Sequence, residues 1–423
     1  PKPIDVEAGR KHWAYHPLKA PAIPEVNDPS WPNGDIDRFV LARLEATGLS
    51  PGSDAEKTVL IRRLYFDLIG LPPPPEQIGQ FLNDESPKAF ENLVDRLMAS
   101  PRFGERWGRH WLDVSRFAES MSLRGILLKH AWRYRDYVIE AFNDDRPYDQ
   151  FLTQQLAGDL LEATSLEAQQ QNLVATTFLM MGNTNLENQN KGQLEMDFVD
   201  EQLDVIGRGF LAQTITCARC HDHKYEAITQ RDYFALHAIL AGTELVKLPV
   251  PNSDDKKTAQ RFVIANRPNA PVTRLLQRGN YESPAGAVPP GLPAALPGGG
   301  DFTEQSIDDF EQRRVRLADW ITAPENPLTA RVIANRVWMW HFGWPLVATP
   351  NDFGVRSEAP THPELLDYLA SYLRSNDWSL KALHRQIRNS ASYRMTHGRG
   401  LPLVRLEAEA IWDHTPTTPV LVV

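Results

Sequence analysis

Cysteine is scarce in this sequence. Only two of the 423 residues are Cys, and both, Cys217 and Cys220, lie within one four-residue window. Such a chain is not a disulfide-stapled scaffold, which needs several cysteines at distant positions. A chain that places both of its thiols at one point is predicted to use them for chemistry there.

Long apolar runs and basic clusters are also missing. No stretch approaches the roughly 20 apolar residues that span a bilayer, so the sequence predicts no membrane span. No run of Lys and Arg is longer than three residues, and the net charge is −9. Because phosphate binding needs a clustered basic surface, nucleic acid is not an expected partner. These features leave the oligomeric state open.

The first residue, and several segments where the sequence pattern breaks, predict that this sequence derives from a longer precursor. The first residue is Pro1 rather than Met, and the sequence starts without a signal peptide. We expect it to start inside an exported precursor whose signal peptide has been removed. The segments near residues 123–130, 247–260 and 397–403 resemble joins at which residues are absent. The stretch Pro416–Val423, within the last ten residues, matches neither a helix end nor a tail.

Apolar residues recur at helical spacing through most of the chain, which predicts a mainly α fold. Ile36, Phe39, Val40 and Leu44, for example, share one face of residues 35–46. The predicted helices cover residues 35–46, 55–69, a run opened by Ser86 and Pro87, 101–119, 131–142, 147–161, 165–180, 198–216, 229–241, 304–322, 327–342, 362–374 and 379–393.

One segment interrupts this periodicity. Residues 247–302 are denser in Pro and Gly, which predicts a linker of irregular or short-strand structure. The segment divides the chain into a multi-helix domain, residues 1–246, and a smaller helical C-terminal domain, residues 303–423. A chain of 423 residues is long enough for two or three domains.

The segment Thr216–Lys224 carries the pattern Cys-x-x-Cys-His, formed by Cys217, Cys220 and His221. This is the attachment pattern of c-type haem. Its two thiols bond the two vinyl groups of the porphyrin, and the adjacent imidazole binds the iron as the proximal ligand. The pattern therefore predicts one covalent haem c in the multi-helix domain, with His221 on the iron.

The same pentapeptide is compatible with other kinds of site. A structural zinc site uses Cys and His ligands, but usually in pairs separated by about 12 or more residues. Here both Cys and two His lie within the seven residues from Cys217 to His223, and the chain has no second Cys pair. A redox-active dithiol prefers a strand-to-helix turn in a βαβ unit, whereas the surrounding pattern is helical. A chance match is the remaining alternative.

The pattern does not fix the sixth iron ligand. His223 is too close to His221 to reach the opposite face of the same ring, and we expect it to bind a propionate or to support the site. His110, on a predicted helix, is the candidate for a distal ligand, and the alternative is a core or capping histidine. Met180 and Met181 are further candidates, although Met in an apolar helix commonly fills space. An open sixth position would indicate catalysis rather than simple electron transfer.

Other motifs accompany this segment along nearly the whole chain. In the multi-helix domain they are His12–Tyr15, Ile36–Val40, Arg62–Pro72, Gly104–Asp113, Ala131–Tyr137 and Gln155–Asp159. In the C-terminal domain they are Asn326–Arg331, Asn335–Trp338, Thr349–Gly354, His362–Leu366 and Trp378–Lys381. Together with Cys217–Lys224, they resemble the planctomycete-type cytochrome c family, in which a haem-binding domain is paired with a domain of unknown function.

The resemblance implies a haem c protein of the periplasm or cell surface, often encoded beside secreted sulfatases and other polysaccharide-degrading enzymes. It implies no established reaction. The corresponding expectation is a monohaem redox protein that acts in or beside the oxidation of sugars or polysaccharides. Its partner would be a redox protein or a carbohydrate substrate.

Polar side chains of the C-terminal domain are candidates for the acid–base part of such an oxidation, the alternative being that they are structural. They are Arg331, Arg336, His341, Asp352 and His362.

Two other functions remain: a pure electron carrier between a periplasmic enzyme and the respiratory chain, and a surface scaffold or glycan-binding protein with a structural haem. An open sixth site facing a cleft favours the enzyme, and two strong ligands with an exposed haem edge favour the carrier. Two ligands on a deeply buried haem favour the scaffold.

Overall fold

A computed structural model of the chain describes residues 4–121, 125–128, 130–182, 184–249, 260–267, 271–302 and 312–396. Over these residues the protein is mainly helical, and its strands form only two-stranded antiparallel sheets. Most of the predicted joins lie outside the described residues, as do the last ten residues and the first part of the predicted helix 304–322.

The N-terminal part of the chain is an array of helices. In chain order they are α1 (Val6–Gly9), α2 (Asp35–Ala46), α3 (Lys57–Ile69), α4 (Pro75–Asn83), α5 (Ala89–Met98), α6 (Arg102–Val114), α7 (Trp132–Asn143), α8 (Tyr148–Ala157), α9 (Leu166–Ala175), α10 (Lys191–Ile206) and α11 (Gln230–Leu240). A small hairpin, β1 (Ser120–Met121) and β2 (Ile126–Leu127), lies between α6 and α7.

Helix boundaries follow local chemistry more than periodicity. The α4 helix has no counterpart among the predicted helices. It begins at Pro75, and proline suits the first position of a helix because the N–H group there has no intrahelical partner. The α5 helix begins at Ala89, after the predicted start at Ser86 and Pro87. The α10 helix is capped by the Asn190 side chain and starts before the predicted residue 198.

The Pro- and Gly-rich segment forms short strands, in agreement with its composition. β3 (Thr243–Pro249) pairs with β4 (Gln260–Asn266), and β5 (Arg274–Leu276) pairs with β6 (Pro284–Ala287). β7 (Gly291–Leu292) pairs with β8 (Gly300–Asp301). The β3–β4 hairpin already begins before residue 247, where the irregular segment was predicted to start.

The C-terminal part returns to helices: α12 (Arg313–Thr322), α13 (Thr329–Phe342), α14 (Pro363–Ser375), α15 (Leu380–Arg388) and α16 (Ala391–Arg394). Buried apolar residues from both parts belong to one continuous hydrophobic cluster. Polar contacts reinforce this joint core. The fully buried Asp37 on α2 accepts hydrogen bonds of 2.8 Å from the backbone N–H groups of Ala391 and Ser392.

Within the described residues, every helix is too short or too polar to cross a bilayer. This agrees with the absence of long apolar runs in the sequence.

Candidate functional site

The two cysteines lie on a turn between α10 and α11. At the end of α10 the chain continues as a single π-helical turn, residues 207–211, and Ala212 then adopts a left-handed conformation with φ of 47°. A Cβ atom on Gly207 would lie only 2.7 Å from the Gln213 carbonyl oxygen, so this tight reversal requires glycine. A short 3₁₀ helix, residues 215–219, follows and carries Cys217, and Cys220 caps it.

Both thiols are free and exposed. Cys220 is packed on one side by Gly279, where an added Cβ would come within 2.8 Å of the Cys220 Sγ atom. Gly279 has φ of 70°, a conformation that favours glycine, so the residue both turns the chain and leaves room for the sulfur. The turn therefore presents two accessible nucleophilic sulfurs one helical turn apart.

His221 follows Cys220 directly and is exposed. Its Nδ1 atom lies 2.6 Å from the carbonyl oxygen of Asp222. Since a carbonyl oxygen only accepts hydrogen bonds, Nδ1 must carry the proton, and the Nε2 lone pair is left available as a ligand. A backbone partner on Nδ1 is the usual device that orients a metal-binding imidazole.

His223 has a different environment, although it is only two residues away. It is buried, and its Nδ1 accepts hydrogen bonds from the backbone N–H groups of Tyr225 at 3.1 Å and Glu226 at 2.7 Å. Nε2 must then carry the proton, and it lies 3.0 Å from the Thr214 hydroxyl. Burial lowers the pKa of this imidazole, which keeps it neutral. His223 holds the loop together and has no free nitrogen.

A cavity of about 670 Å³ opens beside this loop. Residues from three parts of the chain line it: the N-terminal segment with α1, the loop after Cys220, and one residue of the C-terminal part. They are Ile4, Asp5, Ala8, Gly9, Tyr15, His221, Asp222, His223, Lys224, Tyr225, Glu226, Ala227 and Val355. The imidazole of His221 thus borders a cavity with both apolar and acidic walls.

Glu226 is the most unusual group in this cavity. Its side chain is 2% exposed, and a carboxylate oxygen accepts a 3.3 Å hydrogen bond from the Val355 N–H. Burial, and after it the negative charge of Asp352, together raise the pKa of the Glu226 carboxyl to about 7. The hydrogen bond from the Val355 N–H and the neighbouring Tyr15 hydroxyl oppose this rise. Glu226 therefore changes its charge near neutral pH, which is unusual for a carboxyl group.

A loop of the C-terminal part, residues 349–357, closes the site. Its Phe353 N–H donates a 2.7 Å hydrogen bond to the carbonyl of Ala212, directly before the cysteine turn. The backbone at Gly354 passes so close to Glu226 that an added Cβ would lie 1.8 Å from a carboxylate oxygen. Asp352 stabilises the loop by accepting a 2.9 Å hydrogen bond from the Gly354 N–H.

Comparison with known families identifies the two parts of the chain. Residues 35–245 match PSCyt2, described as a protein of unknown function (DUF1549), and residues 313–418 match PSD1, described as a protein of unknown function (DUF1553). The chain carries the planctomycete-type paired domains. No curated protein and no solved structure shows significant similarity to it.

Arg336 and Asp352 lie where the PSD1 domain meets the cysteine turn of the PSCyt2 domain. The guanidinium of Arg336 donates to the carbonyl of Gly209 and, at 2.7 Å, to that of Arg208. It also donates to the Asn351 side chain at 2.9 Å. Burial lowers the pKa of this guanidinium to about 10. These contacts attach the PSD1 loop to the π-helical turn and leave the guanidinium outside the cavity of His221.

The other PSD1 candidates lie elsewhere. Arg331 forms a paired contact with Asp367 on α14, at 2.6 and 2.8 Å, and donates to the His16 carbonyl at 2.8 Å. His341 is buried, with Nε2 2.7 Å from Nδ1 of His384 and Arg388 against its other nitrogen. Burial lowers the pKa of His341 well below its usual value.

His362 is buried at the start of α14, with its Nδ1 3.0 Å from the Thr361 hydroxyl. Burial lowers the pKa of His362 to about 4, and the charge of Arg43 acts in the same direction. The structure therefore does not bring the five PSD1 candidates together. Of these residues, Asp352 is close enough to the cavity for its charge to raise the pKa of Glu226.

The candidate distal ligand His110 lines a separate cavity of about 290 Å³, together with Arg336 and Trp340. Its ring stacks on Trp340 with centroids 4.6 Å apart. Burial, together with the charges of Arg106 and Arg109, lowers the pKa of His110 to about 4. Met180 and Met181 are buried core residues, as Met in an apolar segment commonly is.

The sequence analysis assigned no functional role to Tyr15 or Glu226, which both line the cavity. Tyr15 donates a 2.7 Å hydrogen bond to Gln213, and burial together with the Glu226 charge raises the pKa of its hydroxyl strongly. Tyr15 lies within one of the motifs above, and Glu226 lies just after the haem pattern. Only the fold brings the two side chains together.

Proposed function

We propose that the chain is an exported monohaem c-type redox protein. In this proposal Cys217 and Cys220 attach one haem covalently and His221 binds its iron. One observation carries the proposal: two exposed thiols and an imidazole with a free Nε2 lie on one short turn beside a 670 Å³ cavity. The bound group would supply a one-electron iron centre.

The residues of the turn fit a haem c. Both sulfurs are accessible to a porphyrin edge, and the Asp222 carbonyl fixes the imidazole tautomer that binds iron. Apolar walls from Ile4, Ala8 and Val355 suit a large flat aromatic ring. In this account Asp222 orients the imidazole, and the loop of the PSD1 domain shields one side of the cavity from water.

A closed zinc site is a weaker explanation of the same residues. Both nitrogens of His223 are already engaged, so the Cys and His side chains of the segment offer three of the four ligands. In the part of the chain that the structure describes, no three His, Cys, Asp or Glu side chains converge on a metal position. A thioredoxin-like dithiol is also disfavoured, because the turn joins helices α10 and α11 rather than a strand and a helix.

The lining of the cavity favours a reactive site over a simple carrier. Among the described residues, His223 is the second imidazole of this cavity, and it has no free nitrogen. His110 lines another cavity. His221 is thus the imidazole of this cavity that would hold the iron, and a titrating carboxyl, Glu226, lies on the same cavity. Following the family resemblance, we assign the reaction to sugar oxidation in the periplasm or at the cell surface, with a carbohydrate or a redox protein as partner.

Covalent attachment is tested on a denaturing gel stained for haem. The chain is produced in a host that attaches haem c, and the wild type is compared with Cys217→Ala/Cys220→Ala and His221→Ala. We expect haem on the denatured wild type and on His221→Ala, whose optical spectrum should differ, and none on the double Cys variant. His16→Gln, at an exposed histidine outside the cavity, is the control for His221 and should keep the wild-type spectrum. A colourless wild type that contains zinc would overturn the proposal.

A further inference from the structure

Glu226 and His221 face the same cavity although they belong to different ends of one loop. His221 is exposed at its start, whereas the Glu226 side chain is 2% exposed at its other end. Burying a carboxyl group costs free energy mainly when the group is ionised. A buried carboxyl on the wall of a cavity is therefore sensitive to any charge that arises in that cavity.

The neighbours of Glu226 allow a protonated carboxyl as well as an ionised one. Tyr15 donates its hydroxyl proton to Gln213 at 2.7 Å, which leaves the Tyr15 oxygen free to accept a hydrogen bond from a protonated Glu226. The Tyr15 and Glu226 side chains are within hydrogen-bonding contact. When Glu226 is ionised, the Val355 N–H still donates to it. Neither state of the carboxyl leaves it without a partner.

Charged and titratable groups face Glu226 from each element around the cavity. The N-terminal segment contributes Asp5 and Tyr15, and the PSD1 loop contributes Asp352. The loop of Glu226 itself contributes His221, Asp222, His223, Lys224 and Tyr225. Three carboxylates and one lysine make these surroundings negative. An additional negative charge in the cavity would therefore favour protonation of the buried carboxyl.

We infer that Glu226 is the proton-exchanging residue of this site: its carboxylate binds one proton from solvent for each electron that the site gains, and releases it when the electron leaves. The inference rests on the proposed haem function, since a one-electron centre at His221 is what gains the charge. One electron from an external donor and one proton from water enter together, so the net charge of the cavity is unchanged. The low dielectric of a buried site makes such compensation favourable.

The test measures the reduction potential of the haem-loaded protein against pH, by optical titration with chemical mediators. Near neutral pH, the equilibrium constant for reduction of the wild type should fall by up to tenfold for each unit of rising pH, or about 59 mV for a one-electron couple. Glu226→Gln keeps the shape of the side chain and should remove most of this dependence. The exposed Glu162→Gln is the matched control and should keep the wild-type slope.

Infrared difference spectra of the reduced and oxidised protein provide a second measurement. The wild type should gain the C=O band of a protonated carboxyl on reduction, and Glu226→Gln should lack it. A potential independent of pH, or an unchanged slope in a folded Glu226→Gln variant, would overturn the inference while haem retention on the gel leaves the proposed function intact. Loss of haem from the denatured wild type would instead defeat the proposed function.

Discussion

At the scale of single residues, His221 and His223 show how hydrogen bonds decide the chemistry of a side chain. The two imidazoles are two positions apart, but a carbonyl acceptor leaves Nε2 of His221 free, while three partners engage both nitrogens of His223. Their sequence positions alone predict His221 as the ligand and a supporting role for His223. The partner atoms that enforce this difference follow from the folded loop.

Glu226 gives the protein a pH-dependent stability that one substitution isolates. Its pKa is raised from 4.5 to about 7, so its contribution to stability is fully present below about pH 4.5 and is lost as the pH rises through 7. Glu226→Gln removes this loss. The unfolding free energy of the variant relative to wild type should therefore rise by roughly 3 kcal/mol between about pH 4 and about pH 8. Urea denaturation at both pH values measures it.

Glu162→Gln serves as the control, because Glu162 is exposed and should show no such change with pH. A difference between Glu226→Gln and wild type that is the same at both pH values would contradict the assignment of a raised pKa to Glu226.

The Cys-x-x-Cys-His pattern was recognisable in the sequence because its residues are neighbours along the chain. Cys217, Cys220 and His221 need only one turn to come together, so their spacing carries the information. Tyr15 and Glu226 meet only because α1 and the following segment fold over the loop, which no local pattern encodes. The polar PSD1 motifs were conspicuous in sequence, but Arg331 and Arg336 make structural contacts across the fold.

At the scale of secondary structure, the hydrophobic periodicity predicted the positions of most helices. Local backbone and capping interactions determine where those helices end. The predicted helix 198–216 is an example: α10 starts at Lys191, ends at Ile206 and passes into a π-helical turn. Apolar residues continue at helical spacing beyond Ile206, so a pattern of hydrophobicity cannot detect the break. The left-handed Ala212 and the close approach at Gly207 produce it.

The PSD1 loop can pack directly against Glu226 because Gly354 has no side chain. Gly354→Ala would place a Cβ 1.8 Å from a Glu226 oxygen, so the loop and the carboxyl must separate. We expect the variant to lose about 1–3 kcal/mol of unfolding free energy, measured by urea denaturation, as overpacked sites commonly do.

Gly79→Ala is the comparison for Gly354→Ala. Gly79 lies within α4 with open space around its Cα, so the same change should instead stabilise the protein by about 0.5–1 kcal/mol. Equal effects of the two substitutions would contradict the close packing of the PSD1 loop on Glu226.

At the scale of the whole molecule, the two domains share a core and are joined by a buried ion pair. Arg314 on α12 contacts Asp159 after α8 at 2.8 and 2.6 Å, with side chains only 1% and 6% exposed. Arg314→Met should cost about 3–5 kcal/mol, because it leaves the buried Asp159 without its cation. Thermal or urea unfolding, monitored by circular dichroism, measures the loss.

Arg385→Met is the matched control for this ion pair. Arg385 pairs with Asp95 at a similar distance of 2.7 Å, but the two side chains are 47% and 52% exposed. Exposed pairs contribute about 0–1 kcal/mol, so this variant should unfold almost as the wild type does. A loss for Arg385→Met as large as that for Arg314→Met would contradict the buried junction between the domains.

The central claim is that one haem is bonded to both Cys217 and Cys220, and tryptic digestion tests it most directly. Trypsin cuts after Arg208, Arg219 and Lys224, which separates Cys217, on Gly209–Arg219, from Cys220, on Cys220–Lys224. Mass spectrometry of the digest should find the two peptides joined through a single haem. If the two peptides are instead recovered separately, each with an unmodified thiol, the haem attachment proposed here is wrong.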